Sequence, residues 1–451
     1  MRLRARLGSE RGTSDRRHRR DSNRRCTRRG VLTIRRAVTL SIGDELLAGE
    51  TLDTHGRTIA SALTARGCRV IEHRVLGDDA SGIASAIESA ASSADLVVIT
   101  GGLGPTLDDV SREALAEAMN EALVEDGEAR AHLDRWYAGR GRVMPAGNIR
   151  QAMRPVSARC LENPNGTAPG LQARLGEALI VVLPGPPKEM RPMLDGVLQA
   201  ELPGSPRPAI VVRAFGIGES DAAERIEPLM RRDTRFPVAT TVSRSLLSAR
   251  IRGDQGDDLD AIESLAAQVE KAWHPFVFGR DEVTLPMALG TELARAGRTI
   301  TTAESCTGGL VGAMLTEVPG SSGWYPGGWV TYENARKIED LGVGAELIER
   351  DGAVSRSVVS AMAEGARRAA GADFGVSISG VAGPDGGSKD KPVGTVWIAV
   401  ADDAGVDARC FHFSGDRSVV RDRAAKSAVQ LARFRLRGDG AELLWQRDVR
   451  S

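Results

Sequence analysis

The 451-residue sequence has little of what builds disulfide frameworks, zinc sites or membrane spans. Its cysteines are five in number and form no C-x-x-C pair, so we expect neither disulfides nor a zinc site, and a reducing cytosol is favoured. No apolar run approaches the roughly 20 residues that a membrane-spanning helix needs. A hydrophobic content of 41% with 51 glycines fits an α/β protein. The sequence therefore predicts a cytoplasmic protein without membrane contact.

Histidine and lysine are also scarce. From Asp281 onward the sequence contains one histidine, His412, in an apolar strand-like run, so a Ser-His-Asp triad has poor support. The 60 basic residues include only six lysines, at positions 188, 271, 337, 389, 391 and 426. Lysine can lose its proton and arginine cannot, so a lysine in an arginine-rich chain is a candidate for proton transfer.

Residues 1–36 differ from the rest of the chain in charge. They hold 14 arginines against three acidic residues, a net charge of +11, although the whole chain is neutral. They show no apolar periodicity and no apolar segment of a secretory signal, so we expect a disordered extension. A basic arm that contacts nucleic acid is one interpretation. The favoured one is an N-terminal extension from a start codon assigned too early.

From residue 37 onward, strand-like and helix-like segments alternate, which predicts a parallel sheet with right-handed crossovers. Residues 95–100 resemble a buried strand, and a glycine-rich loop follows directly. In such sheets ligands bind beyond the carboxyl ends of the strands. Gly101, Gly102 and Gly104 would let the backbone approach a phosphate, and Asp108 and Asp109 could hold a divalent metal. The alternative is that an aspartate merely caps a helix.

The middle of the chain carries less information. Residues 203–208 read as a linker, and the segments from 209 to 272 predict a small α+β unit. Its glycine turn at residues 216–220 could indicate RNA contact. A spacer or dimer element is favoured, because no basic cluster surrounds that turn.

A strand-to-helix turn in the last third is the main candidate for chemistry. β-Branched residues precede it, and apolar residues at helical spacing follow it. Ser305 lies in the turn, where backbone N–H groups can stabilise an oxyanion. Lys337 could act as its base if burial or the adjacent Arg336 lowers its pKa. The alternatives are a helix-capping serine and a solvated lysine.

Several runs in this last third resemble the C-terminal domain of the CinA family, which deamidates nicotinamide mononucleotide (NMN). They are residues 303–309 (AESCTGG), 319–322 (PGSS), 330–337 (VTYENARK), 379–387 (SGVAGPDGG), 391–396 (KPVGTV) and 413–417 (FSGDR). The resemblance places the family's serine on Ser305, its lysine on Lys337 and its tyrosine on Tyr332. It implies an amidase that needs no cofactor.

Further roles in this domain follow from the same expectation. We expect backbone N–H groups near Thr307 and Gly308 to form the oxyanion hole. The loop that begins at Gly383, with Arg417 or Arg421, is expected to hold the phosphate of the ligand.

Other runs resemble the CinA N-terminal domain, which is similar to molybdopterin-binding proteins of the MoaB/MogA type. They are residues 43–47 (GDELL), the glycine loop at 101–109, 163–170 (NPNGTAPG) and 184–190 (PGPPKEM). The resemblance implies divalent-metal-dependent ADP-ribose pyrophosphatase activity. Asp109 and Asp78 would correspond to aspartates of the molybdopterin relatives, and with Asp108 they are the expected metal ligands. The middle unit resembles the KH-like domain of CinA proteins.

The sequence therefore predicts an α/β enzyme with domains at residues 37–204, 205–280 and 281–438. The expected reaction converts NMN to nicotinic acid mononucleotide and ammonia. Expected partners are small nucleotides and a second copy of the chain, without membrane or nucleic acid. Two alternatives remain open: a molybdopterin- or nucleotide-binding protein, and a competence or damage-response protein, both without turnover.

Overall fold

The computed structural model describes residues 34–202, 208–231, 235–253 and 259–447. The chain divides into two compact units, Met1–Gly204 and Ser205–Ser451. Most of the predicted N-terminal extension, up to residue 33, lies outside the described residues.

The first unit is an α/β domain. Its strands are β1 (Arg36–Ile42), β2 (Arg69–Leu76), β3 (Leu96–Thr100), β4 (Leu123–Glu125), β5 (Met153–Pro155), β6 (Arg159–Leu161), β7 (Gly170–Leu175) and β8 (Ala178–Leu183). Its helices are α1 (Asp44–Leu47), α2 (His55–Ala65), α3 (Ala80–Ser93), α4 (Ser111–Met119), α5 (Gly127–Ala138) and α6 (Pro187–Glu201), with a 3-10 helix at Ala146–Ala152.

The main sheet of this unit has the order β2-β1-β3-β8-β7-β6. Strand β1 is parallel to β2 and β3, and β3 is parallel to β8. Strands β3 and β8 are buried along their whole length, as expected for central parallel strands covered by helices on both faces. The predicted parallel sheet is thus confirmed. Strands β7 and β6 extend it in antiparallel pairing, which the alternation of segments did not predict.

Residues 34–36, just before the predicted boundary at residue 37, have contacts with the first unit. Strand β1 starts at Arg36, and the side chain of Ile34 is buried in the core beneath α2 and α6. The backbone N–H groups of Arg35 and Arg36 both donate to one carboxylate oxygen of Asp95, at 2.9 Å each. Residues 34–36 therefore belong to the folded domain rather than to the extension.

The second unit contains two sheets. Its strands are β9 (Ala209–Phe215), β10 (Val238–Ser243), β11 (Leu246–Arg252), β12 (Val277–Arg280), β13 (Ile300–Glu304), β14 (Gly328–Val330), β15 (Phe374–Gly380), β16 (Thr395–Asp402), β17 (Gly405–His412) and β18 (Gln446–Arg447). Its helices are α7 (Glu219–Arg225), α8 (Leu259–Trp273), α9 (Leu285–Ala296), α10 (Leu310–Thr316), α11 (Asn334–Leu341), α12 (Ala345–Asp351), α13 (Arg356–Ala370) and α14 (Arg417–Arg437), with 3-10 helices at Glu227–Leu229 and Ser321–Gly323.

The smaller sheet is antiparallel, in the order β10-β11-β9-β12, and forms the α+β middle domain with α7 and α8. The larger sheet has the order β14-β13-β15-β16-β17-β18, with β13 parallel to both of its neighbours. The fold class predicted from the sequence, with three α/β or α+β domains, is confirmed by these sheets.

One hydrophobic core runs across the predicted boundary between residues 280 and 281. It contains Trp273 of α8 and Phe434 of α14 among its fully buried side chains. Phe276 and Phe434 pack edge to face with ring centroids 6.1 Å apart. The middle and C-terminal domains of the second unit are thus packed as one body. No helix in the described ranges has the length and apolarity to cross a membrane.

The anchoring of residues 34–36 gives a stability prediction. A chain shortened to begin at Ala37 should be less stable than one shortened to begin at Thr33, because it loses the buried Ile34 side chain and two hydrogen bonds to Asp95. We expect a difference of about 2–4 kcal/mol in the free energy of unfolding of the first unit. Urea denaturation of both chains measures it. Equal stability would show that residues 34–36 contribute nothing.

Candidate active site

The turn after β13 places Ser305 at the carboxyl end of a buried strand. The N–H of Ser305 donates to the carbonyl of Ile378 on the neighbouring strand, at 2.9 Å. Gly308 and Gly309 follow with φ angles of 59° and 90°, a left-handed backbone that favours glycine. Helix α10 begins only at Leu310 and has no side-chain cap. Ser305 is therefore not a helix cap, which removes the structural alternative left open by the sequence.

Lys337 comes from α11 and reaches Ser305 from the other side of the turn. Its Nζ lies 3.3 Å from Ser305 Oγ and donates to the carbonyls of Thr331, at 2.8 Å, and Tyr332, at 3.3 Å. The lysine is only 1% exposed, and no carboxylate pairs with it among the described residues. Burial lowers the pKa of Lys337, because water no longer solvates the ammonium. A solvated lysine is thus excluded.

Arg336 does not contribute to this effect, contrary to one expectation from the sequence. Its guanidinium is half exposed and pairs with Glu339 and Asp340 on the outer face of α11. Only burial lowers the pKa of Lys337.

Glu304 is a functional residue whose role the sequence did not define. Its carboxylate is buried and accepts the N–H groups of Val311, at 3.1 Å, and Gly312, at 2.8 Å. A carboxylate at the first turn of a helix interacts favourably with the helix dipole. Glu304 therefore ties the start of α10 to β13 and holds the turn that carries Ser305.

Tyr332 is connected to the phosphate-binding candidates rather than to the serine. Its hydroxyl accepts a hydrogen bond of 2.8 Å from Arg417, whose other terminal nitrogen donates to the carbonyl of Gly383, also at 2.8 Å. The ring is more than half exposed. The structure therefore brings together Tyr332, Arg417 and Gly383. The hydrogen bond of Lys337 to Tyr332 uses the backbone carbonyl and not the hydroxyl.

Arg421 lies one helical turn after Arg417 and contacts the serine turn. It donates to the carbonyl of Thr307 at 2.6 Å, while its Nε is buried without a partner. The hydroxyls of Thr307 and Thr331 are likewise buried and unpartnered. Buried polar atoms of this kind usually pair with a ligand or with water. Their concentration around Ser305 marks this region as a place where a polar ligand fits.

The structure distinguishes the two backbone N–H groups that were predicted to stabilise the oxyanion, those of Thr307 and Gly308. The N–H of Gly308 already donates to the carbonyl of Ser305, at 3.1 Å. By contrast, the N–H groups of Cys306, Thr307 and Gly309 have no acceptor among the hydrogen bonds of the described residues. Thr307 therefore remains a candidate, and Gly308 does not. The thiol of Cys306 beside the nucleophile is buried, which raises its pKa to about 12 and leaves it protonated.

A second candidate site lies in the first unit, at the carboxyl ends of β1, β3 and β8. It is a cavity of about 580 Å³, lined by the predicted Gly101, Gly102 and Gly104 among others. Six carboxylates also line it, and neither Lys nor Arg does; the acidic residues are Glu45, Asp53, Asp78, Asp108, Asp109 and Glu189. The charge of these carboxylates favours an anion that arrives together with a cation. Asp53 and its neighbour His55, which also line the cavity, were not predicted from the sequence.

The three predicted metal ligands, Asp78, Asp108 and Asp109, differ in their hydrogen bonds and electrostatic surroundings. Asp109 accepts the N–H groups of Gly104 and Thr106, each at 2.8 Å, and also the Thr106 hydroxyl, so its carboxylate shapes the loop. Burial, followed by the charges of nearby carboxylates that include Asp108, raises the pKa of Asp78. In the described ranges no three acidic, histidine or cysteine side chains are grouped to hold an ion by themselves. Asp78 and Asp108 line the same cavity and interact electrostatically, and their role as metal ligands stays a prediction.

Comparison with known proteins identifies a family for each of the three domains. The CinA C-terminal domain family matches residues 282–436, the damage-inducible protein CinA KH domain matches 210–279, and the probable molybdopterin binding domain matches 38–204. A putative competence-damage inducible protein of Symbiobacterium thermophilum is 42% identical over 89% of this chain and 99% of its own. The chain belongs to the CinA family.

A second relative and a solved structure are also similar to this chain. A CinA-like protein of Geobacter metallireducens is 40% identical over 89% of this chain and 99% of its own length. A solved CinA structure from Thermoplasma acidophilum is 36% identical, covers 37% of this chain and 98% of its own, and has a TM-score of 0.36. The family assignment rests on the Symbiobacterium and Geobacter relatives, each matched over 99% of its own length.

Burial of Lys337 predicts a specific pH dependence of stability in this CinA protein. Because its folded-state pKa is lowered, the unfolded chain binds more protons between that pKa and the ordinary value of about 10.4. Stability must rise with pH across this window. We therefore expect the difference in the free energy of unfolding between wild type and Lys337→Met to shift in favour of wild type as pH rises from 7 towards 10. Urea denaturation measures this shift, and a pH-independent difference would indicate an ordinary pKa.

Proposed function

We propose that the C-terminal domain hydrolyses the carboxamide of NMN to nicotinic acid mononucleotide and ammonia. One observation carries the proposal: a buried lysine without a carboxylate partner lies 3.3 Å from Ser305 Oγ. A neutral lysine in that position can take the proton of a serine hydroxyl. A protein that only binds nucleotides has no need of such a pair.

In the proposed reaction Ser305 Oγ attacks the amide carbon while its proton moves to Lys337 Nζ. The C–N bond then breaks, and Lys337 passes the proton to the leaving ammonia. Water attacks the resulting ester, again giving a proton to Lys337, which returns it to Ser305 Oγ as the acid leaves. Free N–H groups of the turn, including that of Thr307, would stabilise the oxyanion in both steps.

The ligand's phosphate is proposed to bind near the start of α14. Arg417 and Arg421 are separated by one helical turn. Arg417 donates to the hydroxyl of Tyr332, and Arg421 donates to the carbonyl of Thr307 in the serine turn. The positive end of the dipole of a 21-residue helix adds to their charge. Tyr332 would orient Arg417 and present its exposed ring to the substrate.

A second activity is proposed for the acidic cavity of the first unit. A carboxylate-lined cavity without Lys or Arg favours a nucleoside diphosphate that arrives with a divalent cation, as in hydrolysis of ADP-ribose. Asp78 and Asp108 would hold that cation, which would neutralise the phosphate charge. The glycine loop would lie against the phosphates. A cytoplasmic location and a homodimer remain predictions from the sequence.

The deamidase proposal is tested with Lys337→Arg and Ser305→Ala. Lys337→Arg retains the charge but cannot act as a base, so we expect a loss of roughly two to four orders of magnitude in kcat. Ser305→Ala should lose about as much, and the double variant little more, because the two residues act as one unit. Ammonia release from NMN is the assay, with circular dichroism as a check of folding. Near-normal turnover in folded Lys337→Arg would refute the lysine base, and no turnover in wild type would favour a binding or damage-response role.

The two proposed activities should separate on removal of metal. Chelation with EDTA should abolish ADP-ribose hydrolysis and leave NMN deamidation unchanged, because only the first unit has the carboxylate pair expected to bind a cation. Asp108→Asn should reproduce the chelator's effect on ADP-ribose alone. Equal loss of both activities with EDTA would contradict separate sites.

A further inference from the structure

The tip of the β10–β11 hairpin in the middle domain has an unusual backbone. Arg244 and Ser245 form its two-residue turn with φ angles of 46° and 63°. This left-handed pairing is the one that matches the twist of a hairpin, and it is normally occupied by Asn and Gly. Two residues with side chains are strained there, so surrounding contacts must hold them in place.

Those contacts come from helix α14 of the C-terminal domain. Lys426 donates to the carbonyl of Arg244 at 2.8 Å and to the carboxylate of Asp422 at 2.6 Å. Arg423 donates to the Ser245 hydroxyl at 3.0 Å, and a terminal nitrogen of the same guanidinium donates to the carbonyl of Ser414 at 2.6 Å. The hairpin tip is therefore tied to α14 at two positions, one helical turn apart.

Helix α14 also contacts the candidate active site. Its first two turns carry Arg417, which binds Tyr332 and Gly383, and Arg421, which binds the carbonyl of Thr307. Arg423 and Lys426 follow Arg421 directly, within the next two turns. Ser414, the second acceptor of Arg423, lies in the segment that leads into the helix. The hairpin tip thus contacts α14 on the C-terminal side of Arg417 and Arg421, at Arg423 and Lys426.

We propose that the middle domain positions the phosphate-binding end of the deamidase site by holding α14 through the hairpin tip. The inference rests on the proposed deamidase function and gives the middle domain a role within that site. Arg423 and Lys426 are positioning residues, because they act through the helix and touch no substrate. The expected consequence of releasing them is weaker binding of the nucleotide with little change in the chemical step.

Two matched substitutions at the turn distinguish the effect of the contact with α14 from the effect of relieving backbone strain. Ser245→Gly relieves the left-handed strain but removes the hydroxyl that accepts from Arg423. Arg244→Gly relieves the same kind of strain and retains the carbonyl that accepts from Lys426. We expect a KM for NMN that rises roughly three- to tenfold in Ser245→Gly and stays at the wild-type value in Arg244→Gly. In both variants kcat should stay within about twofold, and thermal stability should not fall.

A third variant removes the other contact. Lys426→Met retains the length of a buried side chain and loses both hydrogen bonds of the ammonium, and it should raise KM at least as much as Ser245→Gly. Arg435→Gln is its control, since Arg435 pairs with Asp402 at the far end of the same helix. The control should change KM little even if it lowers the melting temperature.

A structural readout makes the test independent of the deamidase assignment. Amide hydrogen exchange over residues 417–424 of the full chain should be faster in Ser245→Gly and Lys426→Met than in wild type or Arg244→Gly. Faster exchange without any deamidation in wild type would leave the coupling intact and refute only the proposed function. Unchanged exchange and unchanged KM in both Ser245→Gly and Lys426→Met would overturn the inference.

Discussion

The burial of one ammonium group without a counter-charge is the constraint on which the candidate site depends. Lys337 loses hydration on burial, which lowers its pKa, and its Nζ donates to two backbone carbonyls and lies within reach of Ser305 Oγ. A carboxylate beside it would restore the charge and remove the base. The surroundings provide none: Glu304 is held by the start of α10, and the acidic partners of Arg336 face outward.

Helix α14 connects most of the features of the second unit. Its first turns carry Arg417 and Arg421 to the serine turn, and its middle binds the hairpin of the middle domain. Near its end the fully buried Arg433 pairs with Glu292 and donates to the carbonyl of Val277. A buried ion pair of this kind fixes geometry more reliably than it adds stability. The middle domain therefore contacts the C-terminal domain along much of the helix that carries Arg417 and Arg421.

The two proposed nucleotide sites differ in the sign of the charge on their side chains. In the second unit, arginines and a helix N-terminus supply positive charge directly. The cavity of the first unit offers carboxylates and glycine backbone, and we propose that a cation comes with its ligand. Because of this difference in charge, we expect metal dependence for the activity proposed for the first unit and not for the activity proposed for the second.

The sequence by itself determined the three domain types, the strand-to-helix turn with Ser305, and Lys337 as its partner, because these depend on local periodicity and on motifs with fixed spacing. It could not assign Asp109 to the loop rather than to a metal, nor exclude Gly308 as an oxyanion donor, because both depend on which backbone groups are already paired. It also gave no sign that the Glu304 carboxylate binds the start of α10, or that the hairpin turn at Arg244 contacts α14, because side-chain contacts of this kind arise only when the elements pack. Only the tertiary structure decided the direction in which the pKa of Lys337 shifts, since its burial arises when distant segments pack together.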